Sequence, residues 1–417
     1  MSLVLSLSAL NAASTALDVI GNNIANSQTI GFKTSKARFA DLYAASVSGA
    51  SNSALGAGVN AATVYQQFTQ GDVMQSDNPL DMAITGKGFF RLNNGGTITY
   101  SRDGQFQLSY DASSADKRVL VNRTGLNVTG YPAEFTTDPK GVIVTTSAPQ
   151  NISVDTVMPA AATTAVVLGA TLDARVAVPV APFDPNDSLS YTGTAGLTVF
   201  DAAGASHDMR TYFVKSAPGN LWNLYSTMDA GVPTGPFPLS FDPQGLLTTA
   251  MPLSLGGSPA VTLDLTGTVQ YGRPFSVDSI THDGYPQGAI QSSSGFSVGN
   301  DGVIQAFYSN GQSRKVAQIV LASFVNPEAL INMGDNQWMP NGDPVRGSGV
   351  VTLDTPGRST GANPMGMGTI QGGAKEQSNV DLTTELVAMI EQQRNYQASA
   401  QTFKIQDQVL QNLVNAR

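Results

Sequence analysis

Each end of this 417-residue chain carries a heptad of apolar residues, and the long stretch between them reads as short strands and turns. Steps of four and three from Leu3 reach Leu7, Leu10, Ser14, Leu17, Gly21 and Ile24. The same steps from Leu382 reach Leu386, Met389, Gln393, Tyr396, Ala400, Phe403, Asp407, Leu410 and Val414. A 4-3 spacing of apolar positions is the seam of a coiled coil. Two end helices that pair require a chain that leaves its terminal segment, builds a body and returns. That layout suits a subunit of an assembly better than a free enzyme.

The first helix is expected over about residues 3–26, with Gly31 at the turn out of it. Asn11, Asn22, Asn23 and Asn26 interrupt its pattern. They act either as fraying and capping residues or as polar positions that set helix register at some cost in stability. The last helix is expected to start behind Ser378, with Asp381 three residues on standing in for the usual Glu of a capping box. Running to the end of the chain, it would measure roughly 50 Å at 1.5 Å per residue. Arg394 near Glu391 is an i,i+3 pair, read either as helix-surface support or as a contact between subunits. The expected assembly residues are Leu3, Leu7, Leu10, Leu17, Ile20, Asn22, Asn23, Ile24 and Asn26 at one end. At the other they are Leu382, Leu386, Met389, Ile390, Arg394, Tyr396, Phe403, Leu410 and Val414.

Residues 34–70 are small and polar, and are expected to form a connector with little core of its own. Strand and turn signals then alternate. Gly88–Leu92, the turn Asn93–Gly96 and Thr97–Tyr100 predict a hairpin. Gly196–Asp201 and Asp208–Val214 predict another, and Leu221–Tyr225 a further strand. Ala317–Ala322 is expected as one buried strand. The blocks at 71–147 and 283–374 resemble each other, so they are read as one β domain with residues 148–282 inserted between them. Residues 1–33 plus 375–417 make the terminal helical domain. The fold class is α+β and multidomain: paired terminal helices, coiled-coil-like, and two mainly-β domains, the second inserted into the first.

Only 13% of residues are charged, and the net charge is −9. Lys and Arg are scattered, which argues against nucleic acid or an anionic membrane as partner. The absence of cysteine excludes disulfides, thiolate nucleophiles and Cys-ligated zinc. No stretch approaches the roughly 20 apolar residues that span a bilayer. The first cationic side chain is Lys33, so the start of the chain does not read as a cleaved secretory signal.

Catalytic signals are weak. Gly295-Phe296-Ser297-Val298-Gly299 and Gly357-Arg358-Ser359-Thr360-Gly361 imitate a nucleophile elbow, but neither is set between a strand and a helix. The two histidines, His207 and His282, cannot supply a three-His metal site. No catalytic residue, metal or cofactor is expected. A secreted β-rich adhesin is the alternative class, though it has no need of ends that coil together.

Leu17-Asp18-Val19-Ile20-Gly21-Asn22-Asn23-Ile24-Ala25-Asn26 followed by Thr29-Ile30-Gly31-Phe32-Lys33 resembles the N-terminal signature of bacterial flagellar rod and hook proteins. Ser378-Asn379-Val380-Asp381-Leu382, with Glu385-Leu386-Val387 and Gln393-Arg394-Asn395-Tyr396-Gln397, resembles their C-terminal one. Gly86–Leu92 and Tyr100–Phe106 match as well. The long middle resembles hook members; rod members, a distal-rod protein included, lack it. The resemblance implies a helical tube of many copies with terminal helices as its inner layer and β domains outside. It implies a universal joint that passes motor torque, export without a cleaved signal, and a place in the hook and basal body outside the cell. The partners it implies are the distal rod, a hook–filament junction protein, a hook cap and the flagellar export apparatus.

Overall fold

In the computed structural model the described residues are 2–41, 59–111, 114–135, 140–217, 219–256, 260–291, 295–343, 347–349, 351–358 and 366–415. Two long helices form from the two heptad segments, α1 over Ser2–Ala25 and α2 over Leu382–Asn415. They lie side by side. Ser6 Oγ of α1 donates to Gln406 Oε1 near the far end of α2 at 3.2 Å, so the pair is antiparallel.

The buried stripe of α1 is Ser6, Ala13, Ala16 and Asn23. Each lies one position before an expected seam residue: Leu7, Ser14, Leu17 and Ile24. The 4-3 spacing is kept, but its phase is shifted by one residue. Small side chains let neighbouring backbone come close, whereas Leu5 and Leu7 stay exposed and Leu10 and Leu17 are half-buried.

Helix α2 is capped by Asp381 and not by Ser378. Asp381 Oδ1 accepts from Thr383 N (2.9 Å) and Thr384 N (3.3 Å), and Oδ2 accepts from Thr384 Oγ1 (3.0 Å). An aspartate directly before the first turn satisfies orphan N–H groups that Ser378, three residues upstream, cannot reach. The Thr384 N–H, then the Thr384 hydroxyl and the Thr383 N–H, hold this carboxyl below its ordinary 3.8. Its stabilisation is therefore complete above pH 3.8 and is lost as pH falls through the lower folded value. Asp381→Ala is expected to fray the first turn of α2. Amide exchange at Thr383 and Thr384 checks this, and unchanged protection would refute the cap.

The expected connector is a β-hairpin, β1 (Ser35–Asp41) and β2 (Val59–Gln66), antiparallel with a bulge at Arg38/Phe39. Its composition hid it, because half of its apolar residues are alanines, Ala37, Ala40, Ala61 and Ala62. It packs along α1 and not on a core of its own. Asn23 joins it like a strand: Nδ2 donates to Ser35 O (2.8 Å) and Oδ1 accepts from Ser35 N (2.9 Å).

The chain divides into unit 1, residues 1–155, 291–307 and 313–417, and unit 2, residues 156–290 and 308–312. The division falls later than the expected 148 and 282, for a pairing reason. Gln150–Asn151 and Ser153–Asp155 still pair with strands of unit 1, namely Asn127–Glu134 and Ser114–Asn122. Gly288–Ala289 pairs with Val157–Met158 of unit 2.

The main sheet of unit 1 follows the order Phe296–Val298, Val303–Phe307, Ser313–Ile319, Asn127–Glu134, Phe89–Asn94, Thr97–Ser101, Gln337–Met339, Ile331–Gly334. The hairpin Phe89–Asn94/Thr97–Ser101 closes through Gly95 (φ 56°) and Gly96 (φ 109°), the positive-φ pair a two-residue turn requires. The expected single strand 317–322 is two. Ser313–Ile319 pairs with Val303–Phe307 and Asn127–Glu134, while Leu321–Phe324 pairs with Phe89–Asn94 and Val351–Asp354. Val320 is the break, and burial on both sides conceals it in the sequence. Phe68, Phe89, Tyr100, Phe324 and Trp338 form an edge-to-face aromatic cluster. Two short pairings, Val73–Gln75 with Ala374–Glu376 and Met82–Thr85 with Thr369–Gly372, bring the returning chain back beside its start.

Unit 2 is a sandwich. One sheet runs Gly193–Phe200, Ser206–Ser216, Leu221–Met228, Thr234–Ser240 in chain order, all antiparallel. The other centres on Ala165–Asp173, parallel to Thr262–Asp264 and Val269–Tyr271 and antiparallel to Ser276–His282. Strict period-2 alternation drives the packing: Val166, Leu168, Ala170 and Leu172 face Met209, Phe213, Trp222 and Leu224 in one core.

Candidate assembly site

The expected assembly residues divide by exposure. Leu7 (43% exposed), Leu386 (45%), Ile390 (52%), Leu382, Arg394, Tyr396 and Asn22 are open on the helix surfaces. Leu10, Leu17, Ile20, Ile24, Asn26, Met389 and Phe403 are half-buried. Asn23 is 1% exposed, its amide spent on Ser35 of its own chain, so the structure makes it an internal clamp and not a free face. The side chains of Leu3, Leu410 and Val414 lie outside the described residues. Both helices thus keep apolar faces that their own pairing does not close. Leu382, Leu386 and Ile390 follow one another at i+4 on α2, with Ile405 and Val409 repeating the spacing farther along.

Sequence reasoning missed the anchor of this pair. Lys33, Arg102 and Glu376 form a buried ion cluster in unit 1. Lys33 Nζ lies 2.6 Å from Glu376 Oε1, both side chains wholly buried, and also donates to Thr69 O at 2.8 Å. Arg102 Nη1 reaches Glu376 Oε2 at 3.2 Å, and Nη2 donates to Gly86 O at 2.8 Å. Gly71 N donates to Glu376 Oε1 (3.0 Å), and Gly31 N donates to the Glu376 carbonyl (2.8 Å). Gly31 has φ +71°, and a Cβ there would stand 2.6 Å from Asp103 N, so only glycine fits. Burial pushes the Lys33 ammonium and the Arg102 guanidinium down, and the Glu376 carboxylate opposes the fall in each. Arg102 Nε is buried with no partner.

Asn379 adds a second brace. Its Oδ1 accepts from Thr34 N and Thr34 Oγ1, both at 2.7 Å, and its Nδ2 donates to Gln67 O (2.9 Å) and Thr69 Oγ1 (2.7 Å). The available signal was faint: Arg102 stands beside Asp103 and Glu376 beside Lys375, so nothing local points to their pairing with each other or with Lys33.

The first serine motif does not form an elbow. Ser297 lies within strand Phe296–Val298, paired to Val303–Phe307, and no helix follows it. Ser359–Gly361 lie outside the described residues. Among the described residues no group of three or more His, Asp or Glu could hold a metal ion. No described helix is long and apolar enough to cross a membrane.

His207, in unit 2, bridges two turns: Nδ1 lies 2.6 Å from Asp229 Oδ2, and Nε2 lies 3.6 Å from Asp201 Oδ2. The bond to Asp229, then the pairing with Asp201, holds the imidazole above its ordinary 6.5. Its contribution is complete below pH 6.5 and is lost as pH rises through the raised value. Asp229, held low first by His207, and Asp201, held low first by the Ala205 N–H, contribute above 3.8 and lose this as pH falls. His207→Gln is expected to flatten the alkaline side of a melting-temperature profile against pH. A profile as steep as the parent's would refute the bridge.

Four family models match in chain order: Flagella basal body rod protein (residues 5–33), Flagellar hook protein FlgE/F/G D1 domain (83–169), Flagellar basal body protein FlaE D2 domain (171–285) and Flagellar basal body rod FlgEFG protein C-terminal (371–416). A β-rich body bounded by two terminal helices, matched in this order, is the build of a flagellar axial protein. The chain is 40% identical to the flagellar hook protein FlgE of Escherichia coli over 99% of this chain and 98% of that one. It is 39% identical to that of Salmonella typhimurium over the whole of both chains. It is 31% identical to that of Borreliella burgdorferi over 100% of this chain and 99% of that one. The chain belongs to the flagellar hook protein family.

Proposed function

We propose that the chain is the structural subunit of the flagellar hook, self-assembling into a helical tube that passes torque from rod to filament as a universal joint. The observation that carries the reading is the pair of terminal helices, joined to each other yet apolar on their open faces. Burying such faces between copies supplies on the order of 1.5–3 kcal/mol for each large side chain fully removed from water. In this reading α1 and α2 form the inner, coiled-coil-like layer with β domains outside it, and unit 2 is inserted in the chain of unit 1. Its partners are further copies of itself, the distal rod, a hook–filament junction protein, a hook cap and the export apparatus. It leaves the cell without a cleaved signal, needs no cofactor and catalyses nothing.

Deleting the gene and imaging detached basal bodies by electron microscopy tests this. Complete rods without hooks are expected. Truncated rods would make it a distal-rod protein instead, and intact hooks with filaments would overturn the reading in favour of a β-rich adhesin.

A further inference from the structure

The buried Lys33–Arg102–Glu376 cluster meets the aromatic core where the Arg102 guanidinium lies 5.4 Å from the Phe89 ring centre, and its position gives it a use. Two passages of chain cross between the helical end of unit 1 and its β body, the exit from the β1–β2 hairpin (67–71) and the entry to α2 (376–381), and the link from α1 to β1 (31–34) lies against both. All three segments meet at Glu376 and Asn379. Glu376 takes Gly31 N and Lys33 from the α1–β1 link, Gly71 N from the hairpin exit and Arg102 from the body. Asn379 ties Thr34 of the link to Gln67 and Thr69 of the hairpin exit.

We propose that this cluster is the joint that carries torque between the terminal helices and the β body, with Glu376 as its positioning residue. The inference rests on the hook reading. Two single backbone crossings resist twisting poorly, because φ and ψ are soft while only the peptide unit is stiff. Side-chain bonds must supply the resistance. Exposed ion pairs exchange with water and salt, but these groups are sealed from solvent, so no water competes for their bonds. Their directionality opposes rotation, whereas apolar contacts hold groups together without fixing their angle. The pairing of one carboxylate with two cations also aims both oxygens, one at each side of the crossing.

The test replaces the cluster without leaving a lone charge: Lys33→Met, Arg102→Met and Glu376→Met together, expressed in the deletion strain. Well-packed apolar groups in place of a buried ion triad preserve folding. Hooks of parental number and length are expected, with torsional stiffness about twofold lower, read from the rotational fluctuation of a bead fixed to the hook of a stalled motor. Parental stiffness would overturn the proposal. If the triple variant builds no hooks, Arg102→Met alone decides by the same measurement, since it leaves Lys33 and Glu376 as a balanced pair. Softened hooks then support the joint, and parental stiffness overturns it. Hooks on the deletion strain itself would overturn the hook reading, a result separate from how stiff variant hooks are.

Discussion

Glu376→Ala is expected to cost unit 1 about 3–5 kcal/mol, because it removes one partner of a buried ion cluster and keeps the other two. Lys33 and Arg102 would then share a dry site with no counter-charge. Lysine has an escape, since burial already pushes its ammonium down and it can give up its proton. The guanidinium has none, because arginine stays charged in proteins. Gly71 N and Gly31 fare differently: the first loses its acceptor, while the second keeps the Glu376 backbone carbonyl.

Arg102→Met should cost less, since it leaves one cation facing one anion. The exposed pair Lys117–Asp155, 3.6 Å apart with side chains 48% and 39% exposed, is the control. Breaking it should cost about 0–1 kcal/mol. Denaturant midpoints at constant slope measure all three. A Glu376→Ala shift no larger than that of Asp155→Ala would mean that water enters the cluster and would refute its role as a buried anchor.

Leu386→Asp combined with Ile390→Asp is expected to leave the single chain folded and to abolish hooks. Both side chains are about half exposed, so their loss takes little from the monomer. In a tube whose subunits cover this face, the variant forfeits about 2 kcal/mol of apolar burial for the pair. It also forces two carboxylates out of water, at several kcal/mol each. Even about 4 kcal/mol in total raises the critical concentration by roughly three decades. Circular dichroism of the secreted chain and sedimentation of polymerised protein separate folding from assembly. Normal hooks carrying both substitutions would place this face toward solvent and remove it from the assembly surface.

The terminal helices were legible because a 4-3 apolar repeat has no other stable use, and the middle was legible through turn chemistry. Gly95-Gly96 specifies its hairpin within four residues, and the strand signals at Gly196–Asp201 and Asp208–Val214 specify another. Each signal is local, so periodicity and φ preference suffice to read it. The phase of α1 was not legible. Leucines mark an apolar face, but Ser6, Ala13, Ala16 and Asn23 are what α2 and the hairpin cover, because close approach selects small side chains over greasy ones. The cap moved from Ser378 to Asp381 for a similar reason: several residues can cap, and the backbone path chooses among them.

The sequence by itself therefore determined the two helices, the β-rich body between them and, through its terminal signatures, the family. Tertiary structure alone decided which face of each helix stays open, that 35–41 and 59–66 pair along α1, and that Lys33 meets Glu376 across 343 positions of chain. The physical reason is separation. Helix period and turn type are properties of a few adjacent residues, whereas burial and charge pairing belong to segments that only the folded chain brings together.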